Sequence, residues 1–402
     1  MRVFAYLLNN ESITISTESI HSLMTTAEQE SRLNPYPWYQ AMRATNPVAY
    51  NENYNSWSVF SYDAVQRVLT DYSDFSSQIM GDGSGQPLGT SLINTDPPRH
   101  RKLRSIVTQA FTPRTIAQLA PRITEIVNEL LDKVAAQGQM DVVVDLAYPL
   151  PVIVIAELLG VPVKDREQFK HWSDVIVGSE SPTGGEPQKE MTDYFSVLIA
   201  ERRREPKNDL ISSLLTAQVD GEYLNEKELM GFFILLLIAG NVTTTNLIGN
   251  SFLCFDEFPE ALVQLYADPT LVPAAIEEVL RFRSPVSHMY RVVREDTQLD
   301  DKRIAIGSFM VAWIASANRD ETQFPHADRF DITRNPNRHL AFGHGIHFCL
   351  GAPLARLEAK IALEIMLARL PEMRPTPNTS LEALSSMILF GVKNFPITFK
   401  PS

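Results

Sequence analysis

Cysteine is nearly missing from this chain: Cys254 and Cys349 are the only two in 402 residues. That scarcity excludes a cysteine-rich metal cluster and allows at most one disulfide. An excess of positive charge is missing too, since 36 Lys and Arg face 48 Asp and Glu, for a formal net charge of −12. Nucleic acid and anionic membrane are therefore poor matches for the main partner. The longest apolar run, Leu229 to Gly240, would be about 18 Å long as a helix, too short to cross a bilayer. It predicts a helix buried on every side of a large core, with no membrane span. Met1 to Leu8 has one arginine and a short apolar stretch, without a signal-peptide h-region. A cytoplasmic protein is the expectation. Linkers, repeats and low-complexity segments are also lacking.

What is present is a chain with enough apolar side chains, 44%, to fill a large core. Residues 1–30 are poorly specified, and 31–402 read as one domain. Pro35 to Thr45 reads as a helix, followed by a hairpin from Pro47–Tyr50 and Trp57–Phe60 around a polar turn. Asp63 to Leu69 is helical, capped by Ser61 or Asp63. Gly81 to Gly89 is a long loop, either a substrate gate or a plain surface loop. Helical patterns dominate from Arg99 to about Leu265, and Ser181 to Pro187 forms a short hinge between two helices. After Pro285 come short β-like segments, including Arg303–Ile306 and Phe309–Ala315, with a last one at 387–400.

Cys349 stands out because of its surroundings, Phe342-Gly343-His344-Gly345-Ile346-His347-Phe348-Cys349-Leu350-Gly351. A lone cysteine is usually a small buried hydrophobe. Here three glycines permit the positive φ and close approach that a loop wrapped around a flat ligand needs. From Leu350 onward Leu354, Leu357, Ile361, Ile365 and Ala368 mark an amphipathic helix that begins at the cysteine. A helix N-terminus favours thiolate over thiol.

Three other groupings carry chemistry. Glu278 and Arg281 lie three apart on one helical face and can pair, which in an apolar setting demands further hydrogen bonds. Thr243, Thr244 and Thr245 follow Ala239 and Gly240 at the end of the apolar run, where β-branching is costly and back-bonding of Thr243 to the Ala239 carbonyl is one explanation. Arg99, Arg101, Lys102 and Arg104 cluster on a chain of opposite net charge. They form either a docking patch for an acidic partner or a solvated charge run.

The pattern Phe342, Gly345, His347, Cys349, Gly351 resembles the haem-binding signature of the cytochromes P450. The resemblance covers roughly residues 35 to 400, and its motifs come in the family's order. It implies the mainly α P450 fold with a small β-rich subdomain, haem b lying between the Thr243 helix and the Cys349 helix, and Cys349 as the axial ligand to iron. Such a thiolate pushes electron density onto iron and favours O–O cleavage. His100, Arg104, Arg291 and His347 are implied to meet the haem propionates, anions that need cationic partners when buried. Phe342 and Gly351 belong to the ligand loop. Ala239 and Gly240 are implied to open the helix for dioxygen, with Thr243 and Thr244 serving oxygen activation. Glu278 and Arg281 would be structural, joined by Arg329. Leu92, Ile93, Val242, Val286, Met289, Leu389 and Phe390 would line an apolar substrate chamber.

One position departs from the pattern. The residue before the oxygen-side threonine is ordinarily Asp or Glu, and here it is Val242, which cannot carry a proton. Slower or rerouted proton delivery is the expectation, with part of the reducing equivalents lost as hydrogen peroxide. The implied reaction is monooxygenation of a hydrophobic small molecule such as a fatty acid, terpenoid or steroid. With no flavin or iron–sulfur segment, electrons are expected from a ferredoxin or flavodoxin and its reductase. A peroxide-driven peroxygenase and a haem-based sensor without turnover remain the alternative readings.

Overall fold

The computed structural model describes residues 32–79, 87–165, 167–169, 171–172 and 187–401. The leading segment 1–30, residues 81–86 of the expected gate loop and the hinge before Pro187 lie outside the described residues, while Pro87–Thr90 forms a 3-10 turn.

The expected first helix forms as α1 (Tyr36–Thr45). The hairpin follows as β1 (Val48–Asn51) and β2 (Ser56–Val59), paired antiparallel with Val48 opposite Val59. Asn55 takes the positive φ of 46° that the turn requires. Helix α2 (Tyr62–Thr70) begins after Ser61, and neither expected cap supplies a side-chain hydrogen bond at its N-cap. The hairpin belongs to a five-stranded sheet completed by β3 (Phe75–Ser76), β4 (Met289–Val293) and β5 (Phe309–Ala312), in the order β1-β2-β5-β4-β3. Within it β5 runs parallel to β2 and antiparallel to β4, which sets Met310 opposite Arg291. Alternation along β4 thereby fixes which face carries Arg291.

The helical part surrounds α6 (Glu226–Glu257), with α3 (Arg99–Ala110), α4 (Ala120–Asp132), α5 (Pro149–Leu159), α7 (Val272–Phe282) and α8 (Ala352–Arg369) about it. A capping box starts α6: the Asn225 side chain accepts from the Glu228 amide at 3.0 Å, and Glu228 accepts from the Asn225 amide at 2.9 Å. Pro259 ends it by forcing Phe258 to an extended φ of −131°. The apolar run is thus the first half of a longer helix. By length and apolarity α6 could cross a membrane, yet 67% of its most apolar window is buried by protein, as a core helix requires. It packs against α5, α7 and α8. At Gly240 an added Cβ would lie 3.0 Å from Ile155 Cδ1, so glycine lets α5 come close.

Two β-like stretches are shorter than their patterns predict. The run 309–315 stops at Ala312, where Ile314–Ala317 turns helical. Within 387–400 the strand is Pro396–Thr398, preceded by a lone bridge between Val286 and Leu389. Backbone groups between them go elsewhere: the Phe390 amide donates to Pro285 O, and the Phe390 carbonyl accepts from Asn250.

Candidate functional site

The Cys349 loop is held by its own backbone. The Cys349 amide donates to Phe342 O at 2.8 Å, and Gly343 and Gly345 take φ near 71° and 70°. A side chain on Gly345 would also lie 3.0 Å from Thr70 Cα, so the position is closed to larger residues. Helix α8 begins at Ala352, and the amides of Gly351 and Ala352 are directed at the Cys349 sulfur. Cys349 keeps exposed surface, whereas Cys254 is buried in the core. Burial pushes the Cys254 thiol up to about 12 and makes it inert. Enclosure by protein also raises the Cys349 thiol, but the two amides, Arg104 and Arg356 act against it. A cation placed at Sγ would complete the stabilisation of a thiolate.

A second group of side chains faces the same loop. His100, 1% exposed, stands with its ring 4.4 Å from that of His347. Both ring nitrogens of His100 and Nε2 of His347 are buried without a hydrogen-bond partner among the described residues. Arg291 is buried on β4, with Nη1 donating to the Tyr290 carbonyl at 2.7 Å. Arg104 reaches Phe348 O through Nη2 at 2.6 Å. Burial, reinforced by Arg291, His100 and Arg104, pushes His347 down to about 3. Burial and then Arg104 push His100 down to about 4, with Asp96 opposing. Asp96 is itself engaged by the Ser76 hydroxyl and the Ser77 amide. Buried cationic and polar groups that lack an anion are costly, and they fit a ligand carrying carboxylates. Haem with its propionates is such a ligand, so the residues present suit it.

On α6, Ala239 is exposed in the middle of a core helix and Thr243 is partly so, one turn further on. Thr243 Oγ1 donates to Ala239 O at 2.6 Å, which leaves its oxygen free to accept only. Three expectations on this helix change. Gly240 turns toward Ile155 of α5, so its role is helix packing and not a groove on the cleft side. Val242 and Thr244, about 100° to either side of Thr243, are buried at 7% and 3%. Neither presents surface to a chamber.

The ion pair of α7 is confirmed, but its third member is different. Glu278 and Arg281 have no exposed side-chain surface and meet at 2.7 Å. Glu278 also accepts from Arg334 Nε at 3.2 Å, Asn337 Nδ2 at 3.1 Å and the Asp331 amide at 2.9 Å. Arg329 contributes its carbonyl to Arg281, while its side chain is exposed. Arg334 is therefore the partner in place of Arg329, because the chain turns over Asp331–Arg334, closed by the Arg334 amide donating to Asp331 O at 3.0 Å, and brings the later arginine inward. The neighbouring Glu277 takes Arg356 in two hydrogen bonds at 2.7 and 2.8 Å, and Arg356 covers the Phe342 ring at 4.5 Å. This link from α7 to the cysteine loop has no sequence signal beyond an acid beside Glu278.

Of the chamber positions, Val286 and Leu389 face each other across their bridge, partly exposed, and Ile93 is 40% exposed. Leu92 is buried in the main core. Phe390 lies against the Tyr36 ring at 6.1 Å and beneath Arg283 at 5.7 Å, a packing role and not a lining one. Met289 packs on the sheet-side core. Asn250, absent from the sequence reading, ties α6 to this strip by donating to Arg283 O and Phe390 O.

The basic run divides in two. Arg99 is bound to Glu228 and Glu222, and Lys102 to Glu222, so both are neutralised. Arg101 and Arg104 line a cleft of about 580 Å³ with His100, Ser105, Thr108, Gln109, Gly345 and Ile346. Among the described residues its walls carry no carboxylate.

The sequence and structure match known proteins over nearly their whole length. The cytochrome P450 family model matches residues 49–176 and 168–398. Cytochrome P450 109 of Bacillus spizizenii is 43% identical over 401 residues, covering 96% of each chain. The crystal structure of CYP109E1 from Bacillus megaterium in complex with corticosterone superposes with a TM-score of 0.85 at 45% identity, covering 92% of this chain and 99% of that one. CYP109B1 from Bacillus subtilis gives 0.83 at 44% identity, covering 91% and 100%. With the cysteine loop and the anion-poor cradle beside it, these matches show that the chain belongs to the cytochrome P450 family, the haem-thiolate monooxygenases.

Proposed function

We propose that Cys349 is the axial ligand, that His100, Arg104, Arg291 and His347 receive the propionates, and that the substrate is a bulky apolar molecule of the steroid, terpenoid or fatty-acid class. The observation that carries this reading is the coincidence of an exposed cysteine under two directed amides with buried histidine ring nitrogens that have no hydrogen-bond partner among the described residues. Haem, when bound, supplies dioxygen activation and insertion of one oxygen atom into a C–H bond. The chain supplies the rest. The amides of Gly351 and Ala352 hold negative charge on Sγ, and Arg356, clamped by Glu277, braces Phe342 over the loop. Ala239 and Thr243 open the oxygen side, where Thr243 accepts a proton-bearing partner while its own hydrogen stays on the Ala239 carbonyl.

The corticosterone bound by CYP109E1 favours a steroid-sized ligand. Val286 and Leu389 are the two partly exposed apolar positions joined by backbone, and a rigid apolar ligand would meet them first. Electrons come from a ferredoxin or flavodoxin docked at the cleft lined by Arg101 and Arg104, whose positive lining suits an acidic partner. The catalytic unit is one domain over 31–402, and it works in the cytoplasm. Val242 leaves proton delivery to Thr243 and water, which diverts part of the electrons to peroxide. A peroxide-driven reaction is the second reading, and the missing acid at Val242 favours it.

A spectral binding screen of steroids, terpenes and fatty acids tests the substrate class. A saturable change in the haem spectrum with steroids supports the reading, and a response confined to another chemical class contradicts it.

A further inference from the structure

A carboxylate with no part in the chemistry stands on a small hairpin beside the partner cleft. Between Thr216 and α6 the chain doubles back, with Gln218 opposite Tyr223 and Val219 opposite Glu222. Asp220 and Gly221 make its two-residue turn at φ of 54° and 77°, the doubly positive pair that suits the twist of antiparallel strands. That turn fixes where Glu222 stands. The hairpin is seated firmly, because Val219 packs on the main core and the Gln218 carbonyl accepts from Gln109 Nε2 of α3 at 3.2 Å. Gln109 is itself a wall of the cleft.

At 3.6 residues per turn Lys102, Ser105 and Gln109 form one strip along α3, next to the strip that carries Arg101, Arg104 and Thr108. The hairpin follows the first strip. Glu222 accepts from Lys102 Nζ at 2.5 Å through one oxygen and from Arg99 Nη1 at 3.0 Å through the other. Arg99 has a second acid, Glu228, on Nε and Nη2, whereas among the described residues Lys102 pairs with Glu222 alone. Both members of the Lys102 pair stay open to solvent, their side chains 37% and 47% exposed. A carboxylate on another protein can therefore reach Lys102 and displace Glu222.

We propose, resting on the docking cleft assigned above, that Glu222 is a built-in competitor for the acidic redox protein: it occupies Lys102 and Arg99 and confines the open positive charge to Arg101 and Arg104. The complex is thereby kept weak. A one-electron carrier must deliver twice per turnover, so each spent molecule has to leave before the next can dock, and weak encounters serve electron transfer well. Exposed ion pairs are individually weak, so the hairpin trims the affinity of the patch without closing it.

The test is calorimetric titration of the holoenzyme with an oxidised, acidic two-iron ferredoxin at low salt and at about 0.5 M salt. Glu222→Gln is expected to tighten binding about 3-fold at low salt, with unchanged haem spectrum and thermal midpoint, and to lose that gain at high salt. Lys102→Gln should weaken binding about twice as strongly in the Glu222→Gln background as in wild type, because only there is the lysine open to the partner. Equal effects in the two backgrounds would mean that Glu222 acts through net charge alone, and would overturn the competitor role. Arg101→Gln reports on the cleft itself and should weaken binding about 3-fold. Weaker binding in Arg101→Gln with no gain in Glu222→Gln would remove the competitor and keep the cleft, whereas unchanged binding in Arg101→Gln would remove both.

Discussion

Two buried polar clusters sit on neighbouring elements of this fold and differ in how completely the protein satisfies them. Around Glu278 every partner is internal: the carboxylate takes Arg281, Arg334, Asn337 and the Asp331 amide, while Arg281 also reaches the carbonyls of Asn318, Ala327 and Arg329. Around His100, His347 and Arg291 the polar groups are also largely enclosed, yet three ring nitrogens have no hydrogen-bond partner among the described residues and one carboxylate, Asp96, is nearby but engaged. A closed network holds structure, and an open one is shaped for something that the chain itself does not provide. Burial thus has opposite meanings, decided by where the hydrogen bonds go.

Breaking each cluster should give different kinds of damage. Cys349→Ala removes the sulfur that both clusters serve, and the largest effect is expected there: complete loss of the thiolate-haem spectrum and of monooxygenation. Glu278→Ala strands Arg281 in the core and should cost about 3–5 kcal/mol of stability with or without haem, measured by denaturant unfolding. Arg334→Ala should cost about 1.5–3 kcal/mol. Arg329→Ala should stay within about 0.5 kcal/mol, as an exposed side chain predicts. A reversal of that order would restore Arg329 as the third partner. At the open cluster, His347→Ala should weaken haem retention by roughly 10-fold, by analogy with loss of a supporting group at a metal site, and leave the apoprotein as stable as before.

Smaller effects sharpen the picture at its edges. Burial would raise Glu277, but Arg356 and His339 hold it down at about 2. A carboxyl depressed in the folded state stabilises above its unfolded value of about 4.3, and that contribution disappears as pH falls toward 2. Glu277→Gln should therefore flatten the acid limb of the stability profile by lowering stability at neutral pH while leaving it unchanged near pH 2. Val242→Glu should raise product formed per NAD(P)H consumed, and equal coupling in the two proteins would end the account of Val242.

Much of this was legible in the sequence because short-range chemistry sets it. The cysteine loop announces itself through Gly343 and Gly345, which adopt the positive φ that their positions require. The hairpin and first helix follow alternation and helical spacing. What was not legible depends on direction around a helix or on chain path. Gly240, Val242 and Thr244 lie within a few residues of Thr243, and only the packing of α5 on α6 decides which of them faces the cleft. Arg334 replaces Arg329 because the chain turns over Asp331–Arg334, and no local pattern reports where a side chain crosses to another element. Phe390 likewise goes to Tyr36 and Arg283, residues far away in sequence.

The central claim is that Cys349 carries haem iron as a thiolate within an otherwise unfinished cradle. The carbon monoxide difference spectrum of the reduced protein tests it most directly, with Cys349→His alongside. The account predicts the strongly red-shifted thiolate band in the wild type and its replacement by the band of a nitrogen-ligated haem in the variant. A wild-type spectrum already of the nitrogen-ligated kind, or a thiolate band that survives Cys349→His, would contradict it.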